Sequence, residues 1–312
     1  MGVVTHLSPP VHVRGPGGTR QPVRAAMAAT GTAVVHTTWG EWLPAALTHP
    51  ALRPLLGRDW PRYRGTADPT VRHRFAVSRL VIKYVAAAAL DTVPAELDLA
   101  YKIGGRPYVR GLDGFDISLT HSGDLVGVAV SRTGRIGIDT EPAARGVDVE
   151  LMSGHICAPA ELRALRRLPE RAREGELLRL WTLKEAYSKA LGRGLLLDFG
   201  GFGLDTDGTE LLAPDGTPAA RGAWGFSTHR VLDRYLLSVA HHDAAPDRAL
   251  SGAVTSAHRP SRSTMAESCW GSAPGPLEET YVRSAPRYRA QQVADDRARR
   301  PPWRRNPAGP HP

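Results

Sequence analysis

The sequence predicts an α+β protein whose foldable part lies between two Pro/Gly-rich ends. Three observations carry this. Two long stretches, 69–90 and 175–192, repeat apolar residues at helical spacing. Several runs of five to nine residues alternate or run apolar as strands do. The composition, 42% hydrophobic and 23% charged over 312 residues, is that of an ordinary globular chain.

Taken in order, residues 1–32 are rich in Pro, Gly and Arg without periodicity and are expected to form a disordered N-terminal extension, with Met27 an alternative start. "AVVHTTW" (33–39) alternates as a strand does. "PTVRHRFAVSRLVIKYVAAAAL" (69–90) places Val71, Phe75, Val77, Leu80, Val81, Tyr84 and Val85 on one helical face, and Pro69 suits a helix start. "FDISLTHSG" (115–123) alternates Phe115, Ile117 and Leu119 with Asp116, Ser118 and Thr120. "LVGVAVS" (125–131) is a buried strand, and with "RIGIDTE" after a "TG" turn it reads as a hairpin over 125–141. Helices are expected at 158–165 and 175–195, the second ending at Gly192 or Gly194. Strands at 195–205, 223–231 and 234–242 close the fold. Residues 243–312 cannot bury enough apolar surface to offset chain entropy and are expected to be a disordered, low-complexity basic tail. The two long helices echo one another, each preceding strands in a half of about 100 residues, and two unrelated amphipathic helices account for that echo equally well.

The formal charge of +9 is mostly in the ends, +3 in residues 1–32 and +4 in 243–312, so only +2 belongs to the middle. Nucleic acid is therefore not an expected partner. Cys157 and Cys269 form no disulfide framework and no zinc spacing, which fits a reducing cytoplasm. No apolar signal core opens the chain, and the longest apolar stretch, 84–90, is too short to span a bilayer.

The chemistry concentrates in "IGIDTE" (136–141) and "LWTLKEAYSKAL" (180–191). In a strand, side chains at i and i+2 share a face, so Asp139 and Glu141 project together. Two like charges so placed are unfavourable without a cation, and oxygen-only ligands suit Mg2+. An edge strand with solvated acids explains a bare D-x-E as well. On the helix, Glu185 and Lys189 sit at i and i+4 beside the apolar stripe. Only four Lys stand against 36 Arg, so Lys184 and Lys189 flanking Glu185 suggest a specific need for a compact, tunable cation. "THSG" (120–123) ends a strand; "GGRP" (104–107) holds Arg106 on a stiff turn suited to presenting a guanidinium to phosphate.

In this order, "GGRPYV", "FDISLTHSG", "IGIDTE" and "LWTLKEAYSKALGRGL" resemble the 4′-phosphopantetheinyl transferase superfamily, in its large pseudo-dimeric type that activates surfactin-like synthetases. The resemblance spans residues 104–195 and reaches upstream to about residue 72. It implies two similar α/β halves in a pseudo-twofold arrangement, 33–138 and 139–242, with the active site between them. It implies transfer of the phosphopantetheine arm of coenzyme A to a serine of an acyl or peptidyl carrier protein, with release of 3′,5′-ADP. Asp139, Glu141 and Glu185 then hold Mg2+, and Glu185 and the helix lysine Lys189 are the catalytic residues. Arg74, Arg106, Thr120 and His121 take coenzyme A. A cytoplasmic monomer (a pseudo-dimer within one chain) is expected. Two departures stand out: Thr120 replaces the commoner Ser before His121, and Pro142-Ala143-Ala144 separate Glu141 from the first basic residue, Arg145. Two other classes remain open, a Mg2+-dependent phosphodiesterase or nuclease and a non-catalytic carrier-binding module with a basic tail.

Overall fold

The structure, a computed structural model, describes residues 7–102, 104–193, 197–205, 210–219 and 224–243. The first half of the chain runs β1 (Val11–His12), α1 (Arg20–Thr30), β2 (Thr32–Thr38), α2 (Trp39–Thr48), α3 (Leu52–Leu56), α4 (Trp60–Gly65), α5 (Pro69–Leu90), β3 (Leu99–Tyr101), β4 (Pro107–Val109), β5 (Asp116–Ser122) and β6 (Leu125–Ser131). The second runs β7 (Gly134–Pro142), α6 (Val149–Ile156), α7 (Pro159–Arg167), α8 (Glu170–Leu191), β8 (Gly203–Leu204), β9 (Leu211–Leu212), β10 (Trp224–Val231) and β11 (Tyr235–Asp243). The fold is α+β, as the sequence predicts.

Two sheets carry the architecture. One has the order β1-β2-β6-β5, with β1 parallel to β2 and the other pairs antiparallel. The other is β10-β11-β7, antiparallel throughout. Each is served by one 22-residue helix. α5 starts at Asp68, whose carboxylate accepts the Val71 amide at 3.0 Å, and stops where Asp91 turns left-handed. Its Leu80, Val81, Ile82 and Val85 are fully buried with Ile117, Val126, Val128 and Val130 of the first sheet. α8 stops at Gly192, φ 71°, and buries Leu183, Ala186 and Ala190 with Phe226 and Ala240.

Several expectations are corrected. Residues 7–32 are not a disordered extension: β1 pairs with β2, and Val13, Val23, Ala26 and Met27 join the first core. Their few apolar residues bury no surface alone; α5 and β2 supply it, so a local reading undercounts their stability. The stretch 125–141 is not a hairpin. β6 pairs with β2 and β5, whereas β7 pairs with β11, so residues 132–133 pass from one sheet to the other. The tight turn lies between β5 and β6, at Gly123 with φ 58°. A period-two pattern says which face is buried, not which strand is the neighbour. Residues 195–196 of the strand expected at 195–205 lie outside the described residues; the described part is strand only at β8, preceded by a 3-10 turn over Phe199–Gly201. β7 runs through the expected boundary at 138/139 and belongs whole to the second sheet. The tail beyond residue 243, Cys269 included, lies outside the described residues. Among the described residues no helix is long and apolar enough to cross a membrane.

Candidate active site

The two sheets meet at β5 and β7 without a backbone ladder between them. Alternate side chains of β5 replace it. Asp116 accepts the Ile136 amide at 2.8 Å and Ser118 accepts the Ile138 amide at 3.2 Å. Further along, Thr120 donates to Asp139 Oδ1 and Ser122 to Glu141 Oε2, both at 3.2 Å. The polar face of β5 thus satisfies the outer edge of β7 and ends on the two acids.

The opposite approach comes from α8. A Cβ placed on Gly137 would stand 1.9 Å from the Ala186 carbonyl oxygen and 2.6 Å from the Ala190 nitrogen, so only glycine lets the helix backbone rest on the strand. Asp139 and Glu141 share the face of Gly137. Glu185 and Lys189 precede Ala186 and Ala190 by one residue each. The result is contact: Lys189 Nζ lies 2.6 Å from Asp139 Oδ1 and 3.3 Å from Thr120 Oγ1. Arg145 donates to Glu141 Oε1, so the basic residue that the intervening Pro-Ala-Ala seemed to displace still reaches the second acid.

The electrostatics follow from this crowding. Glu185 is pushed up to about 7, by burial first, then by the charge of Asp139, with Glu141 adding and Lys189 opposing. Burial also raises Glu141, helped by Asp139 and opposed by Arg145. The three acids therefore feel one another across the strand–helix junction. Among the described residues no three His, Cys, Asp or Glu side chains form a ready-made metal cluster. Lys189 and Arg145 hold carboxylate oxygens that a cation would otherwise take.

The other residues that the sequence pointed to separate into two groups. The His121 ring packs tilted against Trp39, ring centroids 5.8 Å apart, and the Arg74 guanidinium lies 5.6 Å from the same indole. The His121 imidazole is lowered below the ordinary histidine value by its partial withdrawal from water, then by the charges of Lys189 and Arg74. Arg106 is elsewhere. It pairs with Asp116 and donates to the carbonyls of Ile136 and Lys189, bracing the end of α8 against β5 and β7. Lys184, singled out for its rarity, is fully buried in another junction. Its ammonium meets Glu161 at 2.6 Å and the carbonyls of Ile156, Phe199 and Phe202 at 2.7–2.8 Å. Sequence reasoning did not single out Trp39, Ser118, Gly137 or Arg145 as site residues. A glycine inside a strand that carries two acids was the available signal, since strand glycines mark close approach.

Residues 135–240 match the sequence model of the 4′-phosphopantetheinyl transferase superfamily. This stretch, about a third of the chain, is where the similarity to that superfamily lies. It contains Asp139, Glu141, Glu185 and Lys189, whereas Arg74, Arg106, Thr120 and His121 lie upstream of it. The chain is 32% identical over 130 residues to the 4′-phosphopantetheinyl transferase HetI of Nostoc sp., covering 41% of this chain and 55% of that protein. It is 29% identical over 148 residues to a 4′-phosphopantetheinyl transferase of Bacillus subtilis, covering 46% and 64%. A phosphopantetheinyl transferase of Thraustochytrium sp. is 28% identical over 232 residues, covering 67% of this chain and 78% of that one. The chain thus spans little more than half the length of the first relatives it matches.

Proposed function

We propose that this protein transfers the 4′-phosphopantetheine arm of coenzyme A to a serine hydroxyl of an apo carrier protein, with Mg2+ bound and 3′,5′-ADP released. The observation that supports the reading is Lys189 in contact with Asp139, with Glu185 feeling the charges of Asp139 and Glu141, within the stretch that matches the superfamily. Neither the phosphodiesterase nor the non-catalytic alternative draws support from the relatives.

The donor set fits a hard divalent cation. It is oxygen-only, crowded enough to push Glu185 up to about 7, and relieved by positive charge. Asp139, Glu141 and Glu185 would hold Mg2+, which supplies neutralisation of the coenzyme A diphosphate. The chain's own groups do the rest. Glu185, which shares this junction with Asp139 and Lys189, would accept the serine proton. The serine oxygen forms a bond to the phosphorus bearing the pantetheine, and the bond to the adenosine-side phosphate breaks with its electron pair. Lys189 would stabilise the charge that the departing oxygen gains, and Thr120 holds both Lys189 and Asp139 in register. Arg74 and His121 take the adenosine end. Arg106 reaches coenzyme A only by leaving Asp116; in its present place it fixes the end of α8. We read the working unit as one chain, because β7 and α8 of the same polypeptide supply all three acids.

The test is mass spectrometry of several apo carriers incubated with the protein, coenzyme A and Mg2+. One phosphopantetheine added to the carrier serine supports the reading. Unmodified carriers throughout, in the presence of folded protein, overturn it.

A further inference from the structure

Lys83 is buried without being satisfied. It stands on α5, is only 4% exposed, and its ammonium makes no hydrogen bond and no ion pair with any described residue. Lys184 shows how this chain can bury an ammonium, with one carboxylate and three carbonyls around it. Lys83 instead lines a cavity of about 190 Å³ between α5, the end of α3 and residues 95–99. Pro54, Leu56, Ala95, Leu97 and Leu99 give that cavity largely apolar walls.

The acids nearby are already taken. Asp59 accepts from Arg79 at 2.9 Å and from the Tyr101 hydroxyl at 2.8 Å. Asp98 lies 3.6 Å from Arg58 and 3.4 Å from Arg110. Glu96 accepts from the Thr92 hydroxyl. Against these three acids stand Arg58, Arg79, Arg110 and Lys83, so one positive charge is left over. Asp98 and Asp59 act on Lys83 through their fields, but burial outweighs them and pushes the amine below the ordinary lysine range. Burying an ammonium without a partner is costly, and its three donors beside an open volume call for acceptor oxygens. One positive charge in an apolar pocket fits one negative charge on an apolar stem. A phosphate dianion would leave a charge unmatched between those walls.

We propose that the cavity at Lys83 binds a short aliphatic monocarboxylate, its carboxylate on the Lys83 ammonium and its alkyl chain along Leu56, Leu97 and Leu99. The cavity shares no residue with the acids of β7 and α8, and the inference does not rest on the transferase reading.

The experiment uses the full chain with potassium butyrate as the probe, and acetate, phosphate and chloride at equal ionic strength. It reads the thermal unfolding midpoint and the NMR signal of the Lys83 ε-methylene in 13C-lysine-labelled protein, assigned through its own backbone resonances. Butyrate is expected to shift that signal saturably with Kd on the order of 1 mM, and at about 10 mM to raise the midpoint by about 3 °C. Acetate, two methylenes shorter, should bind about tenfold more weakly, and chloride should have no effect. Lys83→Met should lose the response to butyrate and, freed of an unsatisfied buried charge, unfold no earlier than wild type. The NMR titration needs wild type alone, so it decides the matter even where that variant does not fold. No saturable shift of the Lys83 signal overturns the proposal, as does an equal midpoint rise in Lys83→Met. Phosphate binding more tightly than butyrate, or chloride matching butyrate, overturns it as well.

Discussion

Gly137→Ala puts the strand–helix contact to the test. The added methyl would meet backbone atoms of α8, at 1.9 Å from the Ala186 oxygen and 2.6 Å from the Ala190 nitrogen. Backbone cannot rotate away as a side-chain tip does. To restore even a 3.0 Å contact the helix must retreat by about 1.1 Å at Ala186. Overpacking of this kind costs about 1–3 kcal/mol, and more where backbone must move. The retreat also carries Glu185 and Lys189 off the strand, lengthening the 2.6 Å contact between Lys189 and Asp139. A displacement of about 1 Å at a reacting site costs on the order of 100-fold in rate. Urea unfolding gives the first quantity and single-turnover transfer to a carrier gives the second. Gly154→Ala is the control, since a Cβ there meets nothing within 4 Å and alanine favours the helix. Gly137→Ala with wild-type stability and wild-type transfer would refute the close-approach argument.

Four other expectations follow from the same structure. Lys184→Met leaves Glu161 buried without its cation and should lower unfolding free energy by about 3–5 kcal/mol; a loss under about 1 kcal/mol in urea titrations would show the pair is dispensable. His36 and His241 are held down to about 4, chiefly by burial, so folding favours their neutral forms. Their contribution is complete above about pH 6.5 and is lost as pH falls toward 4. Stability should drop by about 1–2 kcal/mol per histidine between pH 7 and 5, and a flat profile would contradict this. Glu185→Gln and Lys189→Ala should each depress turnover by about 100-fold or more, with steady-state rates equal to wild type in both removing them from the chemistry. A chain begun at Met27 loses β1 and most of α1, including fully buried Val13 and Val23, and should unfold about 4 kcal/mol more easily or not fold at all.

Much of this was legible from residue patterns. α5 appears at its expected bounds because its signals are local: Asp68-Pro69 to start it, a continuous apolar face, and an end where the pattern stops. α8, β10 and β11 were readable for the same reason. The acids of β7 were found because charge inside an apolar strand demands a partner. What stayed hidden depends on neighbours distant in sequence. β1 and α1 carry too few apolar residues to announce themselves, and only the surface of α5 makes them stable. Lys184 looked like a functional lysine because rarity counts residues but does not say which way a helix faces. Lys189, which meets Asp139, and Lys184, buried against Glu161, differ by their rotation about α8, which the sequence around them leaves ambiguous. Trp39 reads as the end of a strand, and nothing nearby marks its meeting with residues 35 and 82 positions away.

The pairing of β7 with β11 also governs when the protein becomes competent. Tyr235–Asp243 supply the ladder for Gly134–Pro142, so the strand bearing the two acids acquires its backbone partner only at the far end of the described chain. A ribosome that has released residues 1–131 has all four strands of the first sheet, in a topology whose pairings close within that length. It has no carboxylate site until about a hundred further residues emerge. Synthesis thus delivers the partners of the first sheet before the partner of β7, and pairings so distant in sequence pay for loop closure before they gain contacts.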